Sequence, residues 1–468
     1  MIMCDYDHTS KTSILSHAQQ LLGKSLRDLH NEAVVLNEGR GRMGQCVEQF
    51  HFHYNPNGDP TPDFPQAGVE LKCTPLKELQ DGSMVPKERL VLNIIDYIKE
   101  AKATFETSSF WKKNQWLLLM FYLHECGVPV VDLVFKIIRL WNFPEEDLKI
   151  IRDDWEKLHW KMANGHAHEI SEGDTLYLGA CPKGSKAGKE MRTQIDETAP
   201  LAQQRAYSLK PKYMSTIILD SLMHPEMCDH LFLSKKKIEQ IRKSASSIVH
   251  SIDEYQPNET FEELVERKFR PFYGCTVYEI ESKVGTKITN KAKAVSHATI
   301  CAILGVKTSK IKEFEKANLQ QKSIRLEPNG KLKESMVFGQ IKYNDIIHED
   351  EWEDSVWHNT LTQRFFFVVF RKDENNDPKS SVLEKVFFWA MPPSDLELAR
   401  IFWEDTKNKI KRGDFNHFIK CGDGNICHVR PKAKDSKDLM DTAFGPQKKK
   451  GYWLNREYIL KIVNDNLK

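Results

Sequence analysis

Asp63-Phe64-Pro65-Gln66-Ala67-Gly68-Val69-Glu70-Leu71-Lys72 is an acid, a short turn and then Glu-x-Lys on an extended segment. Val69, Leu71 and Cys73 alternate with Glu70, Lys72 and Thr74. Successive side chains of a strand point to opposite faces, so Glu70 and Lys72 share one face while the apolar set packs inward. Pro65 and Gly68 supply a turn across which Asp63 can swing back towards Glu70. Two carboxylates facing one lysine are the minimal set for metal-assisted cleavage of a phosphodiester: the acids hold a hard divalent ion and the lysine puts a cation beside a nucleophilic water. The competing reading is a solvated strand face with a surface ion pair.

Working outward, 468 residues suggest about two to four domains, each able to bury a core. The composition, 40% hydrophobic and 29% charged, is that of an ordinary globular protein. Met1 to Thr12 is polar and carries Asp5 and Asp7, unlike a signal peptide. The longest apolar run, Trp116 to Leu123, is too short to cross a bilayer and suits a buried strand. Ten cysteines occur without a CxxC pair, which reads as reduced thiols and a cytoplasmic location. His51-x-His53 and His166-x-His168 would each share a strand face, but no third ligand stands near either pair.

The net charge of +2 does not announce a nucleic-acid binder, yet an average hides local fields. Arg40 and Arg42 sit in a glycine-rich stretch, Asn37 to Gly44, that either approaches a DNA backbone closely or is a plain flexible turn. Further basic stretches are Pro182 to Lys189, Ser234 to Lys243 and Lys448 to Lys450. Helical spacing covers residues 13–35, with a break and new N-cap at Gly23-Lys24-Ser25. Pro144 to Asn164 reads as a helix with Leu148, Ile151, Trp155, Leu158 and Met162 on one stripe and Gly165 as its stop. Thr175 to Leu178 reads as a strand.

The same features recur in order about 250 residues downstream. Gly23 to Leu29 matches Gly274 to Ile280, and Val69-Glu70-Leu71-Lys72 matches Leu319-Gln320-Gln321-Lys322. Trp116 to Phe121 matches Arg364 to Val369, and Trp141-Asn142-Phe143-Pro144 matches Trp389-Ala390-Met391-Pro392. Cys181-Pro182-Lys183 matches Arg430-Pro431-Lys432. The chain thus reads as a tandem duplication. Residues 1–222 form the first copy, 223–257 a linker with a basic amphipathic helix over Leu233 to Tyr255, and 258–468 the second copy. In the second copy Gln320 stands for Glu70, Glu313 falls near the position of Asp63 and Ile300 near that of Glu48. An amide binds a hard cation far more weakly than a carboxylate, so the second copy reads as having lost a metal site.

Gly44-Gln45-x-x-Glu48, Asp63 to Lys72, Glu106-Thr107-Ser108 ahead of Lys113, and Tyr207 to Tyr213 resemble the mismatch-repair nicking endonuclease MutH. The tandem arrangement resembles restriction endonucleases of the staphylococcal GATC-cutting type. That resemblance implies two tandem restriction-endonuclease-like α/β domains, each a mixed central sheet flanked by helices: a catalytic first domain and a degenerate DNA-binding or effector second domain. It implies Mg2+ held by Asp63 and Glu70, with Glu48 as a further ligand or base orienter. Lys72 would activate water and Lys113 assist. Arg40, Arg42, Lys183 and Lys210, and Arg430 and Lys432 in the second copy, would contact double-stranded DNA. The family's Arg-Pro-Lys is complete only at Arg430-Pro431-Lys432. The expected activity is type II cleavage at GATC, with self-association on DNA through two sites and no membrane partner. A MutH-like nickase and a non-catalytic DNA-binding protein are the alternatives.

Overall fold

A computed structural model describes every residue except 1–5, 31–41, 57, 80–81, 184–189, 230–245, 293, 309, 354, 436 and 468. The chain divides into two compact units. Unit 1 comprises residues 1–170, 174–254 and 310–318; unit 2 comprises 171–173, 255–309 and 319–468. Among the described residues no helix is long and apolar enough to cross a membrane.

Unit 1 is built on a mixed sheet. β1 (Val69–Glu78) pairs antiparallel with β2 (Met84–Pro86) and parallel with β4 (Trp116–Leu123), and β4 pairs antiparallel with β5 (Phe135–Asn142). Leu117 to Phe121 are fully buried. A strand covered on both faces needs a continuous apolar run, which is why β4 shows no alternation. A second, antiparallel sheet sets β9 (Arg205–Leu209) between β3 (Leu90–Ile94) and β6 (Leu178–Pro182). A two-residue ribbon, β7 (Met191–Arg192) with β8 (Ala202–Gln203), accompanies it.

Helix Glu145–Ala163 has three acids in its first turn, where they meet the positive end of the helix dipole. Its buried stripe includes Ile151, Trp155, Leu158 and Met162. Gly165 ends it at φ +74°, and a Cβ there would lie 3.0 Å from the Asp196 Cβ. On the same helix the buried Asp154 accepts the backbone N–H groups of Leu176 at 2.7 Å, Tyr177 at 2.6 Å and Leu178 at 2.9 Å. Those bonds hold 176–178 on the helix, so the strand expected over Thr175 to Leu178 begins only at Leu178.

The helical stretch expected over 13–35 is described as far as residue 30, and 31–35 lie outside the described residues. It forms Lys11–Ala18 and a 3-10 turn, and then Leu26–Leu29 under a reciprocal cap in which Ser25 and Asp28 satisfy each other's backbone N–H. The expected linker helix, Leu233 to Tyr255, lies largely outside the described residues. Where it is described, from 246 onward, it forms no α-helix, only a 3-10 turn at Ile252–Glu254. The Glu313 carboxylate accepts the backbone N–H groups of Ile248 and Val249, and Ser246 bridges to Ile311, which removes the groups a helix would use. The Glu313 carboxylate is thus occupied as a backbone cap.

Unit 2 has its own mixed sheet. β10 (Gln320–Leu326) runs parallel to β12 (Phe365–Arg371), which pairs antiparallel with β13 (Val382–Trp389). In its second sheet β17 (Lys450–Leu454) lies between β11 (Met336–Gln340) and β14 (Cys427–Pro431), and β15 (Leu439–Met440) pairs with β16 (Gln447–Lys448). Pro392 leads helix Pro393–Lys411, as Pro144 leads Glu145–Ala163. The register of the two mixed sheets can be compared directly. Glu70 is paired with Leu117, which is paired with Trp141. Gln320 is paired with Phe365, which is paired with Trp389. Each tryptophan stands three residues before its helix-leading proline, so Gln320 occupies the strand position of Glu70. Ile300 is fully buried in helix Val295–Leu304.

Replacing Asp154 by Ala strips three buried N–H donors of their acceptor. Urea unfolding of unit 1 should then show a loss of about 3 kcal/mol; a loss within experimental error would contradict the role given to this carboxylate.

Candidate active site

The turn in front of β1 builds the site. Phe64 and Val69 pair as an isolated bridge, with Phe64 N–H on Val69 O at 2.9 Å and Val69 N–H on Phe64 O at 3.2 Å. Pro65 to Gly68 forms the turn between them, and Gly68 sits at φ +67°, a conformation that favours glycine. The bridge places Asp63 beside Glu70. Asp63 Oδ2 accepts the Leu71 N–H at 2.8 Å, and Glu70 Oε2 accepts the Asp63 N–H at 3.1 Å. Each carboxylate thus fixes the backbone that carries the other.

Glu70 is only 2% exposed. Its Oε1 receives the Lys72 ammonium at 2.7 Å and lies 3.6 Å from that of Lys113. Lys72 also donates to the Leu92 carbonyl of β3 at 3.2 Å, so two of its three N–H donors are committed to these partners. Lys113 comes from helix Ser109–Asn114 and donates to the Asp59 carbonyl at 2.8 Å. That helix is anchored by a buried acid the sequence reading missed. Glu100 accepts the Ser109 N–H at 2.8 Å and the Tyr207 hydroxyl at 2.8 Å. No spacing pattern in the sequence marks Glu100.

Burial first, and then the charge of Glu70, pushes Asp63 up to about 7, against the opposing Leu71 N–H. Glu48 is raised by the same two causes in the same order. Glu48 lies on a π-helical turn, Val47–His51, a geometry frequent at functional sites. Two histidines brace that turn: His17 Nε2 meets the His51 carbonyl at 2.9 Å, His51 Nε2 meets the His17 carbonyl at 3.0 Å, and the rings stack. His51 is therefore a packing residue on a turn, not a ligand on a strand. His166 and His168 flank Glu169 around a 3-10 turn, so neither expected histidine pair sits on a strand. Tyr54, also missed, buries a hydroxyl with no hydrogen-bond partner. Burial and the charges of Asp63, Glu48 and Glu70 raise it far above the ordinary tyrosine range, so it stays protonated. No spacing pattern marks it in the sequence.

The donor set fits a hard divalent ion. Two desolvated carboxylates held side by side repel each other, and the raised Asp63 records that cost. Mg2+ is ordinarily held by one or two carboxylates, with water and phosphate oxygens filling its remaining positions. Among the described residues no three or more His, Cys, Asp or Glu side chains are grouped to hold a metal ion. Asp63 and Glu70 would thus hold such an ion as a pair of carboxylates, and Glu48 is near enough to feel the charge of Glu70.

The expected DNA contacts fare differently. Arg40 lies outside the described residues, and of Arg42 only its place at the start of helix Arg42–Cys46 is described. Lys183 is exposed at the end of β6. Lys210 is only 8% exposed, precedes helix Pro211–Ser221 as its cap and gives its ammonium to the Thr175 carbonyl. It is a structural lysine, and its expected DNA contact is withdrawn. Arg430 is exposed on β14 with its guanidinium 4.9 Å from the Trp453 ring centre. Lys432 is half-buried and donates to the Phe338 carbonyl.

A raised Asp63 gives a definite pH dependence. The metal-free folded protein keeps a proton that the unfolded chain releases near pH 3.8, so its stability falls as pH rises from there through about 7. Divalent binding must expel that proton. Calorimetry with Ca2+ should show affinity falling roughly tenfold per pH unit below 7, and Asp63→Asn should abolish binding while raising metal-free thermal stability at pH 8. Affinity flat from pH 5.5 to 8 would contradict this geometry.

Comparison with known proteins matches this site to one family. The family described as the DNA mismatch repair enzyme MutH matches residues 52–154, a span that holds Asp63, Glu70, Lys72 and Lys113 but not Glu48. The DNA mismatch repair protein MutH of Vibrio campbellii is 25% identical over 45% of this chain and 93% of its own length. That of Escherichia coli O6:K15:H31 is 26% identical over 45% of this chain and 92% of its own. The type II restriction enzyme Sau3AI of Staphylococcus aureus is 30% identical over 98% of this chain and 99% of its own length. The chain, with a MutH-like segment around its paired carboxylates and this end-to-end match, belongs to the Sau3AI family of type II restriction enzymes.

Proposed function

We propose that the chain is a type II restriction endonuclease that hydrolyses both strands of DNA at GATC, with Mg2+ as cofactor. The observation that carries it is Asp63 and Glu70 held side by side on a turn and strand with Lys72 at 2.7 Å from Glu70. Asp63 and Glu70 would hold the metal, which when bound polarises the phosphate and lowers the proton affinity of an attacking water. Lys72 orients that water and meets the charge that builds on the phosphate. Lys113 holds Glu70 in place and adds a second cation. Burial of Glu70 excludes bulk water, so each of these charges acts at short range with little screening.

We read unit 1 as the catalytic copy and unit 2 as a degenerate copy that binds DNA as an effector. In unit 2 Gln320 replaces Glu70 on the strand. A chain with one catalytic copy cuts both strands only if two chains meet on DNA or one chain nicks twice. Efficient cleavage would then favour DNA carrying two sites, and two contact sets would make binding steeply salt-dependent.

Supercoiled plasmid carrying GATC, incubated with Mg2+, should be converted to linear fragments whose ends map to GATC. Glu70→Ala should slow the reaction at least about 10²–10³-fold, and a plasmid with two sites should be cut faster than one with a single site. Intact plasmid, or Glu70→Ala as active as the natural chain, would overturn the reading. Single-strand nicks alone, dependent on an added repair partner, would instead favour a MutH-like nickase.

A further inference from the structure

In unit 2 the strand has kept its lysine and lost the acid beside it. Lys322 stands two residues after Gln320, as Lys72 stands two after Glu70. The two lysines now have opposite surroundings. Lys72 is neutralised by Glu70 at 2.7 Å. Lys322 has no carboxylate partner among the described residues and rests against the face of Phe338, its ammonium 4.6 Å from the ring centre. It lines a cleft of about 470 Å³ together with Gln320, Phe338, Thr360, Gln363 and Lys432, and no Asp or Glu lines that cleft.

Lys432 is fixed in the same cleft. Its ammonium donates to the Phe338 carbonyl. Its stem lies across Gly451, where a Cβ would meet the Lys432 Cδ at 2.8 Å and the Gly339 carbonyl at 2.9 Å. The absence of a side chain at 451 is what lets Lys432 lie there. Burial, and then the charge of Lys432, lowers the proton affinity of Lys322. Two ammonium groups lining one cleft with no carboxylate among its described lining residues repel each other, and an anion of suitable size relieves that repulsion.

We propose that this cleft of unit 2 is a metal-independent binding site for a DNA backbone phosphodiester, with Lys322 and Lys432 supplying the charge. The proposal rests on the reading of unit 2 as a DNA-binding effector and names the group it grips. It also gives the loss of Glu70's counterpart a positive use. A carboxylate at 320 would neutralise Lys322 and repel phosphate, whereas the amide of Gln320 does neither.

The test is duplex binding by the full chain in EDTA, followed by fluorescence anisotropy across a range of salt. Lys322→Gln and Lys432→Gln should each lower the salt slope by about one. Gln320→Glu should weaken binding several-fold with thermal stability unchanged or raised, because it recreates the ion pair seen at Glu70 and Lys72. If Gln320→Glu binds as the natural chain does while Arg430→Ala weakens binding, unit 2 grips DNA elsewhere and the cleft proposal falls alone. If none of these substitutions, Arg430→Ala included, alters binding, the effector reading falls and takes the proposal with it. Stabilisation by inorganic phosphate that Gln320→Glu abolishes, with duplex binding unaltered, would mark a free-phosphate site and overturn the assignment to DNA.

Discussion

The exchange of backbone N–H groups between Asp63 and Glu70 is the constraint on which the site depends. Asp63 holds the Leu71 N–H and Glu70 holds the Asp63 N–H, across a turn closed by the Phe64–Val69 bridge. Two carboxylates that repel are thereby locked together by the backbone each one grips. The lock sets unfavourable charge where the proposed divalent ion and phosphate would arrive, and the sheet behind it holds the pair in place. β4 can do so because Leu117 to Phe121 are buried on both faces. Preorganised charge of this kind needs no rearrangement at the moment of reaction.

Much of this was legible in the sequence because it rests on local rules. The alternation through Val69 to Thr74, the turn at Pro65 and Gly68, the apolar run of β4 and the Pro144-led helix each follow from a short-range pattern. The misread elements were decided by distant partners. The strand at Leu178 starts late because Asp154 holds three N–H groups from another element. The described end of the linker forms no α-helix at 246–251 because Glu313, far along the chain, has taken the amides of Ile248 and Val249. The resemblance implies a DNA contact for Lys210, yet its ammonium is spent on a buried carbonyl. Glu100 and Tyr54 were invisible because a buried acid and an unpartnered hydroxyl have no spacing signature. Neither 3.6-residue nor two-residue periodicity reports on which polar group will be desolvated.

The two mixed sheets separate framework from chemistry. The pairing that sets Glu70 against Leu117 and Trp141 sets Gln320 against Phe365 and Trp389. With the register the same, the change from acid to amide removes one charge without moving the strand. In unit 1 that charge neutralises a lysine; in unit 2 the lysine is left to a cleft that also holds Lys432. One side chain on a shared strand position would thus separate the proposed cation site of unit 1 from the proposed phosphate site of unit 2.

The most direct measurement is a crystal of the full chain soaked in Mn2+, with the metal located by its anomalous signal. An ion bound between Asp63 and Glu70, with none at Gln320, is the result this account predicts. An ion at Gln320, or none between Asp63 and Glu70 at pH 8, would contradict it.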